Sequence, residues 1–228
     1  MRTVKNIHSS IYAPIHDLET YRPMPTQGLQ SLDPFLFLNH HGPQNYGPNN
    51  DGLPFGPHPH RGFETLTFIF EGDITHWDSS GSKSVITEGG VQWMTAGSGL
   101  IHSEISSEEF KKSGGAVEVI QLWLNLPSSL KMTPPKYHGL EKDEITHFEK
   151  EDAEIHLISG NMIDKIGPHD SITGLTMASI DVKKEGNLQL NVPLEHQILF
   201  YVVNGEIEVN DSKAKTHELV EFEHNGTD

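Results

Sequence analysis

The sequence predicts an all-β protein built from barrel-like halves, and three observations lead there. Gly (21) and Pro (14) interrupt the 228-residue chain at short intervals and leave little room for long helices. Between them, apolar and polar residues alternate with a period of two, as in strands with one covered face. Two short clusters, His58-Pro59-His60 and His102-Ser103-Glu104, share an i, i+2 spacing. On an extended strand, positions i and i+2 point to one side, whereas a helix needs i, i+3 or i, i+4.

In chain order, Phe35 to Leu38 is the first clear strand. Gly42 to Gly56 is rich in Gly, Pro and Asn and reads as a loop beside the histidine clusters, placed to gate access to them. Glu64 to Phe70 is a strand with Leu66, Phe68 and Phe70 on one face and Thr65, Thr67 and Ile69 on the other. Ile74 to Trp77 and Val91 to Met94 are further strands, and Ser106 to Lys112 is either one turn of helix or a solvated loop. Val117 to Leu126 is a strand whose Val117–Leu124 portion is apolar on both faces, which predicts a central, fully covered position. Pro134-Pro135 marks a linker, dividing the chain into an N-terminal metal-binding domain, 1–133, and a C-terminal domain, 134–228. Leu199 to Val203 is a strand, and Asn204-Gly205 after it signals a tight hairpin.

An internal echo links the halves. Phe68-Ile-Phe-Glu-Gly72-Asp-Ile74 resembles Tyr201-Val-Val-Asn-Gly205-Glu-Ile207 at a constant offset of 133 residues. A duplicated barrel accounts for it. On that offset His58, His60 and Glu64 correspond to Asn191, Pro193 and Gln197, and His102 and Glu104 to positions 235 and 237, past the chain's end. The expectation is a second unit that is metal-free and incomplete.

Bulk properties exclude several classes of function. There are 16 Lys+Arg against 32 Asp+Glu, a formal net charge of −16, which argues against direct binding to nucleic-acid phosphates. Cys is absent, so there is no disulfide framework, thiolate site or Cys nucleophile. No run approaches the ~20 apolar residues of a membrane span, and Met1-Arg2-Thr3-Val4-Lys5 opens no signal segment; the expectation is a cytoplasmic protein.

Three imidazoles and one carboxylate, from His58, His60, His102 and Glu104, are a full protein set for one transition metal. That donor chemistry suits Fe, Mn, Co, Ni or Cu, and also Zn. Of the other histidines, His8, His16, His138, His147, His156, His169, His217 and His224 stand singly among polar residues and read as solvated. His40-His41 are adjacent, so at most one of them faces the site.

Gly56-Pro-His58-Pro-His60-Arg-Gly-Phe-Glu64 with Gly72, and Gly97-Ser-Gly99-Leu-Ile-His102, resemble the two cupin motifs. Leu32-Asp-Pro-Phe-Leu-Phe-Leu38, Pro57 to Thr65, Gln92 to Glu104 and Gln121-Leu-Trp-Leu-Asn-Leu126 with Lys131-Met132 are more specifically similar to the pirins, which are bicupins. The likeness is dense over 30–140 and thin beyond. It implies jelly-roll barrels with an incomplete C-terminal copy, and His58, His60, His102 and Glu104 as metal ligands. It implies iron as Fe(II), and a supporting role for Glu64, not a ligand's. For bacterial members it implies quercetin 2,3-dioxygenase activity, opening a flavonol-like aromatic substrate with O2 and releasing CO, with Glu104 as the base. The alternative it implies is an iron-dependent regulator that binds a protein partner.

Overall fold

A computed structural model describes residues 1–226, and it is almost entirely β. The strands are β1 (Val4–Ser9), β2 (Ile11–Tyr12), β3 (Thr20–Met24), β4 (Phe35–Tyr46), β5 (Phe55–His60), β6 (Phe63–Glu71), β7 (Asp73–Asp78), β8 (Lys83–Thr87), β9 (Val91–Thr95) and β10 (Leu100–Ile105). A short helix, α1 (Glu108–Ser113), precedes β11 (Gly115–Asn125) and β12 (Lys136–Leu140). The second half holds β13 (Thr146–Lys150), β14 (Ala153–Ser159), β15 (Asn161–Met162), β16 (Lys165–Ile166), β17 (Met177–Val182), β18 (Leu199–Tyr201), β19 (Glu206–Val209), β20 (Ser212–Lys215) and β21 (Glu218–Phe222). No helix among the described residues is long and apolar enough to cross a membrane.

Two antiparallel sheets make the first jelly-roll barrel: seven strands in the order β12-β9-β6-β11-β4-β3-β2 and four in the order β5-β10-β7-β8. β11 sits between β6 and β4, as its apolar character on both faces requires. Its inward residues Val117 and Val119 pack with Ile69, Ile74, Ile86 and Leu18 inside the barrel. Its outward residues Ile120, Leu122 and Leu124 join Leu66, Phe68 and Trp93 in a second core, which Ile158 and Leu219 of the C-terminal half complete. The seven-stranded sheet is therefore covered on both faces.

Two strands cross the expected 133/134 boundary. β12, which begins one residue after Pro134-Pro135, pairs with β9, so the two prolines lead directly into the first barrel's sheet. β1 pairs with β21, placing the start of the chain in the sheet β1-β21-β18.

The internal echo is reproduced in strand pairing. Leu66↔Trp93, Thr67↔Gln92 and Phe68↔Val91 have their counterparts in Leu199↔Glu221, Phe200↔Val220 and Tyr201↔Leu219. Asp73↔Thr87 to His76↔Ser84 correspond in turn to Glu206↔Lys215 to Val209↔Ser212. The offset is 133 up to the hairpin tip and 128 after it, so the second copy is five residues shorter there. Corrected for that, His102 and Glu104 correspond to positions 230 and 232. Gly72 and Gly205 occupy equivalent links and both have φ of +89°, a value that favours glycine.

Other expectations are corrected. Asn204-Gly205 is not a hairpin turn: it joins β18 and β19, which belong to different sheets. The two-residue hairpin in this stretch is Asn210-Asp211, between β19 and β20, both with positive φ, as a type I′ turn demands. Residues 42–46 continue β4, and the following segment is fastened to α1 instead of standing free as a gate. Asn49 and Asn50 N–H donate to Lys112 and Lys111 O, and Leu53 N–H donates to Ser106 Oγ. Ser106 to Lys112 does include a helical turn, capped by Ser107 Oγ accepting from Phe110 N–H.

Candidate metal centre

β5 and β10 lie side by side and pair His58 directly with His102. The period of two then puts His60 on the same side as His58. A register shift between His102 and Glu104 sets Glu104 opposite Phe55, and such bulges re-aim side chains near functional sites. The chain turns before β10 at Gly97, where φ is +51° and a Cβ would fall 2.1 Å from Thr133 O.

The three imidazoles converge through their Nε2 atoms. His58 Nε2 is 3.1 Å from His60 Nε2 and 3.1 Å from His102 Nε2. His102 is fully buried, His60 nearly so, and His58 half-buried. His58 Nδ1 lies 2.7 Å from Gly56 O, and a carbonyl only accepts, so Nδ1 donates there and Nε2 is the atom turned toward the other two rings. Burial pushes His60 down to about 4, with His102 and His58 adding to the shift and Glu104 opposing it. Burial likewise pushes His102 down to about 3, helped by His58 and His76 and opposed by Asp78. Three imidazoles crowded nitrogen to nitrogen cannot all hydrogen-bond one another. A cation at their focus gives each lone pair a partner, and two nitrogens about 2.1 Å from one ion at a right angle lie about 3.0 Å apart. The donor set fits a single metal ion.

Glu104 stands beside this triad, outside the tight cluster that the three nitrogens form. Its Oε2 is 3.9 Å from His102 Nε2. Thr67 Oγ1 donates to Oε1 at 2.7 Å and Gln121 Nε2 donates to Oε2 at 2.6 Å. Thr67 and Gln121 are paired across β6 and β11, and Gln92 and Asn39 extend the same inward polar row on β9 and β4.

Glu64 does not support the centre. It sits three positions from Thr67 on an unbroken strand and so faces the opposite side of the sheet. There its Oε1 accepts from Thr95 Oγ1 at 2.6 Å, and burial raises its pKa.

His76 and Asp78 are functional-site neighbours that the sequence did not reveal. They pair with Glu104 and His102 across β7 and β10, and His76 Nε2 lies 2.9 Å from Asp78 Oδ2. Both are buried, and His76 stacks on Tyr137 at 3.9 Å. Their signal was the same i, i+2 spacing of polar residues that marked the other clusters. His40 and His41 do face opposite ways. His41 enters the barrel beside Phe55, while His40 meets Tyr201 and Glu118 outside it. His169 and His217 are not solvated as expected: His169 is buried flat on Trp93, and His217 stacks on Tyr21 with Nε2 buried.

An aromatic wall flanks the triad. Trp123 lies 5.2 Å from His60, 4.9 Å from Phe63 and 4.4 Å from Phe37, ring centre to ring centre, and it stacks on Phe37. The arrangement can bind an ion beside a row of stacked aromatic rings, with a hydrogen-bonded carboxylate in reach.

Comparison with known proteins gives the family. The pirin family profile matches residues 17–124. A Pseudomonas aeruginosa protein provisionally named quercetin 2,3-dioxygenase is 38% identical over 200 residues, 87% of this chain and 68% of that protein. Pirin-1 of Arabidopsis thaliana is 37% identical over 172 residues, 74% of this chain and 58% of that protein. The crystal structure of a quercetin 2,3-dioxygenase from Acinetobacter baumannii is similar with a TM-score of 0.91 at 33% identity, covering 100% of this chain and 81% of that one. The chain is thus shorter than each of these relatives.

Proposed function

The chain belongs to the pirin family, and from that premise we propose that it is a metal-dependent dioxygenase acting on a flavonol-like substrate. His58, His60, His102 and Glu104 hold one transition-metal ion in this reading, with Fe(II) the preferred occupant. The observation that carries it is the approach of three imidazole nitrogens to within 3.1 Å of their neighbour at the end of an aromatic wall.

The bound ion supplies Lewis acidity toward a substrate hydroxyl and a redox partner for O2. The protein's own groups do the rest. Burial keeps His60 and His102 unprotonated at neutral pH, so their nitrogens stay available as ligands. Trp123, Phe37 and Phe63 present a flat surface against which a planar ring is oriented and from which water is excluded. Glu104 Oε2 takes the proton of the substrate hydroxyl as general base. Thr67 and Gln121 hold the carboxylate in place while it does so.

Elemental analysis of purified protein, followed by O2 uptake and CO release with quercetin, tests the proposal. We expect about one ion per chain and both gas signals, with His102→Ala losing the ion and at least a hundredfold of the rate. Metal-replete protein that turns over neither quercetin nor a panel of flavonols and catechols ends this reading.

A further inference from the structure

The wall beside the triad ends in an unpaired charge. Arg22, on β3, is half-buried, and its guanidinium carbon lies 5.2 Å from the centre of the Phe37 ring. Phe37 stacks on Trp123, and Trp123 meets His60, so Arg22, Phe37, Trp123 and the triad form one continuous line of contact. Arg22 Nε donates to Asn39 Oδ1 at 2.9 Å. Among the described residues, its other N–H groups have no protein acceptor and no carboxylate stands within ion-pair distance.

That is unexpected for this chain. Acidic residues outnumber Lys and Arg by 32 to 16, so a half-buried guanidinium has many possible partners, yet its bond is to the Asn39 amide. A guanidinium offers five donors in a planar fork that matches a carboxylate or other oxyanion, and here one of the five is used. Lys131 is not free in this way: its Nζ bonds Gly62 O and Asn125 Oδ1. Trp123 adds an indole N–H that is buried without an acceptor.

We propose that the ligand of this centre is an anionic aromatic, a planar ring carrying a carboxylate or phenolate, with the ring against Phe37 and Trp123 and the anion on Arg22. The inference deepens the dioxygenase reading, because the surface it uses ends at His60. Positive charge at the mouth of an otherwise acidic molecule also favours arrival of such an anion over a neutral analogue. Arg22 is then the residue that determines specificity, not a group that reacts.

Calorimetric titration of the full chain with 2-naphthoate and with uncharged 2-naphthamide tests this, in metal-loaded and in chelator-treated protein. We expect the carboxylate to bind at least tenfold tighter in both states at low salt. The preference should fall to about twofold or less in Arg22→Gln and survive in Arg22→Lys, with circular dichroism confirming that both variants are folded. Equal binding of the two probes, binding of neither, or a preference that Arg22→Gln retains would overturn the proposal. A preference seen only with metal loaded and indifferent to Arg22 would place the anion on the ion, and would overturn it too. Absence of CO from quercetin, by contrast, would remove the dioxygenase reading and leave the Arg22 result standing.

Discussion

Glu104 has a donor on each oxygen, and the two donors come from neighbouring strands, so its carboxylate has one preferred orientation. Partners of this kind typically change metal affinity by 10–100-fold when removed. Thr67→Val keeps the shape of the side chain and deletes one donor. We expect affinity for Zn(II) to fall about tenfold or more, read by competition with a fluorescent chelator, while the fold stays intact. Unchanged affinity would mean that Glu104 is not among the ligands. Glu64 shows why parity matters at this scale: three positions along the same strand, an equally buried carboxyl serves the opposite face and bonds Thr95 instead.

At the scale of elements, the turn before β10 decides where His102 and Glu104 arrive. A Cβ on Gly97 would strike Thr133 O, whereas one on Gly81, in the β7–β8 turn, would meet nothing within 4 Å. Both have positive φ, at +51° and +98°. Gly81→Ala should therefore cost only backbone strain, about 1 kcal/mol, and Gly97→Ala about 3 kcal/mol or more together with loss of metal binding, measured by urea unfolding and metal titration. Similar costs for both would rule out the steric account. Much of this level was legible in the sequence. Alternation located β6, β9 and β11, and the i, i+2 rule singled out His58, His60 and His102, whose nitrogens converge, with Glu104 beside them, because both depend on spacing along one strand. What was not legible depends on pairing between distant strands. The placing of His76 and Asp78 beside Glu104 and His102, the tie of 47–53 to α1, and the burial of His169 against Trp93 require a register that no local pattern encodes. Asn204-Gly205 misled because strong turn chemistry says where the chain can bend, not which strands meet there.

For the whole molecule, several histidines away from the centre are folded in as neutral rings. Burial pushes His41 down to about 3 and His169 down to about 4. Each has a lower pKa folded than unfolded, so above pH ~6.5 neither is protonated in either state and stability is unaffected. As pH falls below that value the unfolded chain takes up protons that the folded chain refuses, and stability drops until the folded values are reached. At pH 5 each costs about 2 kcal/mol. Urea midpoints measured between pH 7 and pH 4.5 should fall steadily, and His169→Gln should flatten that slope. A midpoint that rises on acidification would contradict the burial of these rings. The pairing of β1 with β21 carries a consequence of a different kind, about time. Val4 finds its partner in Phe222, so β1 leaves the ribosome 218 residues ahead of the segment it pairs with. At 5–20 residues per second that interval is on the order of 10–40 s. The strands from β4 to β12 can close the first barrel during the wait. Until β21 emerges, β1 remains a solitary strand open to chaperones or to the wrong neighbour.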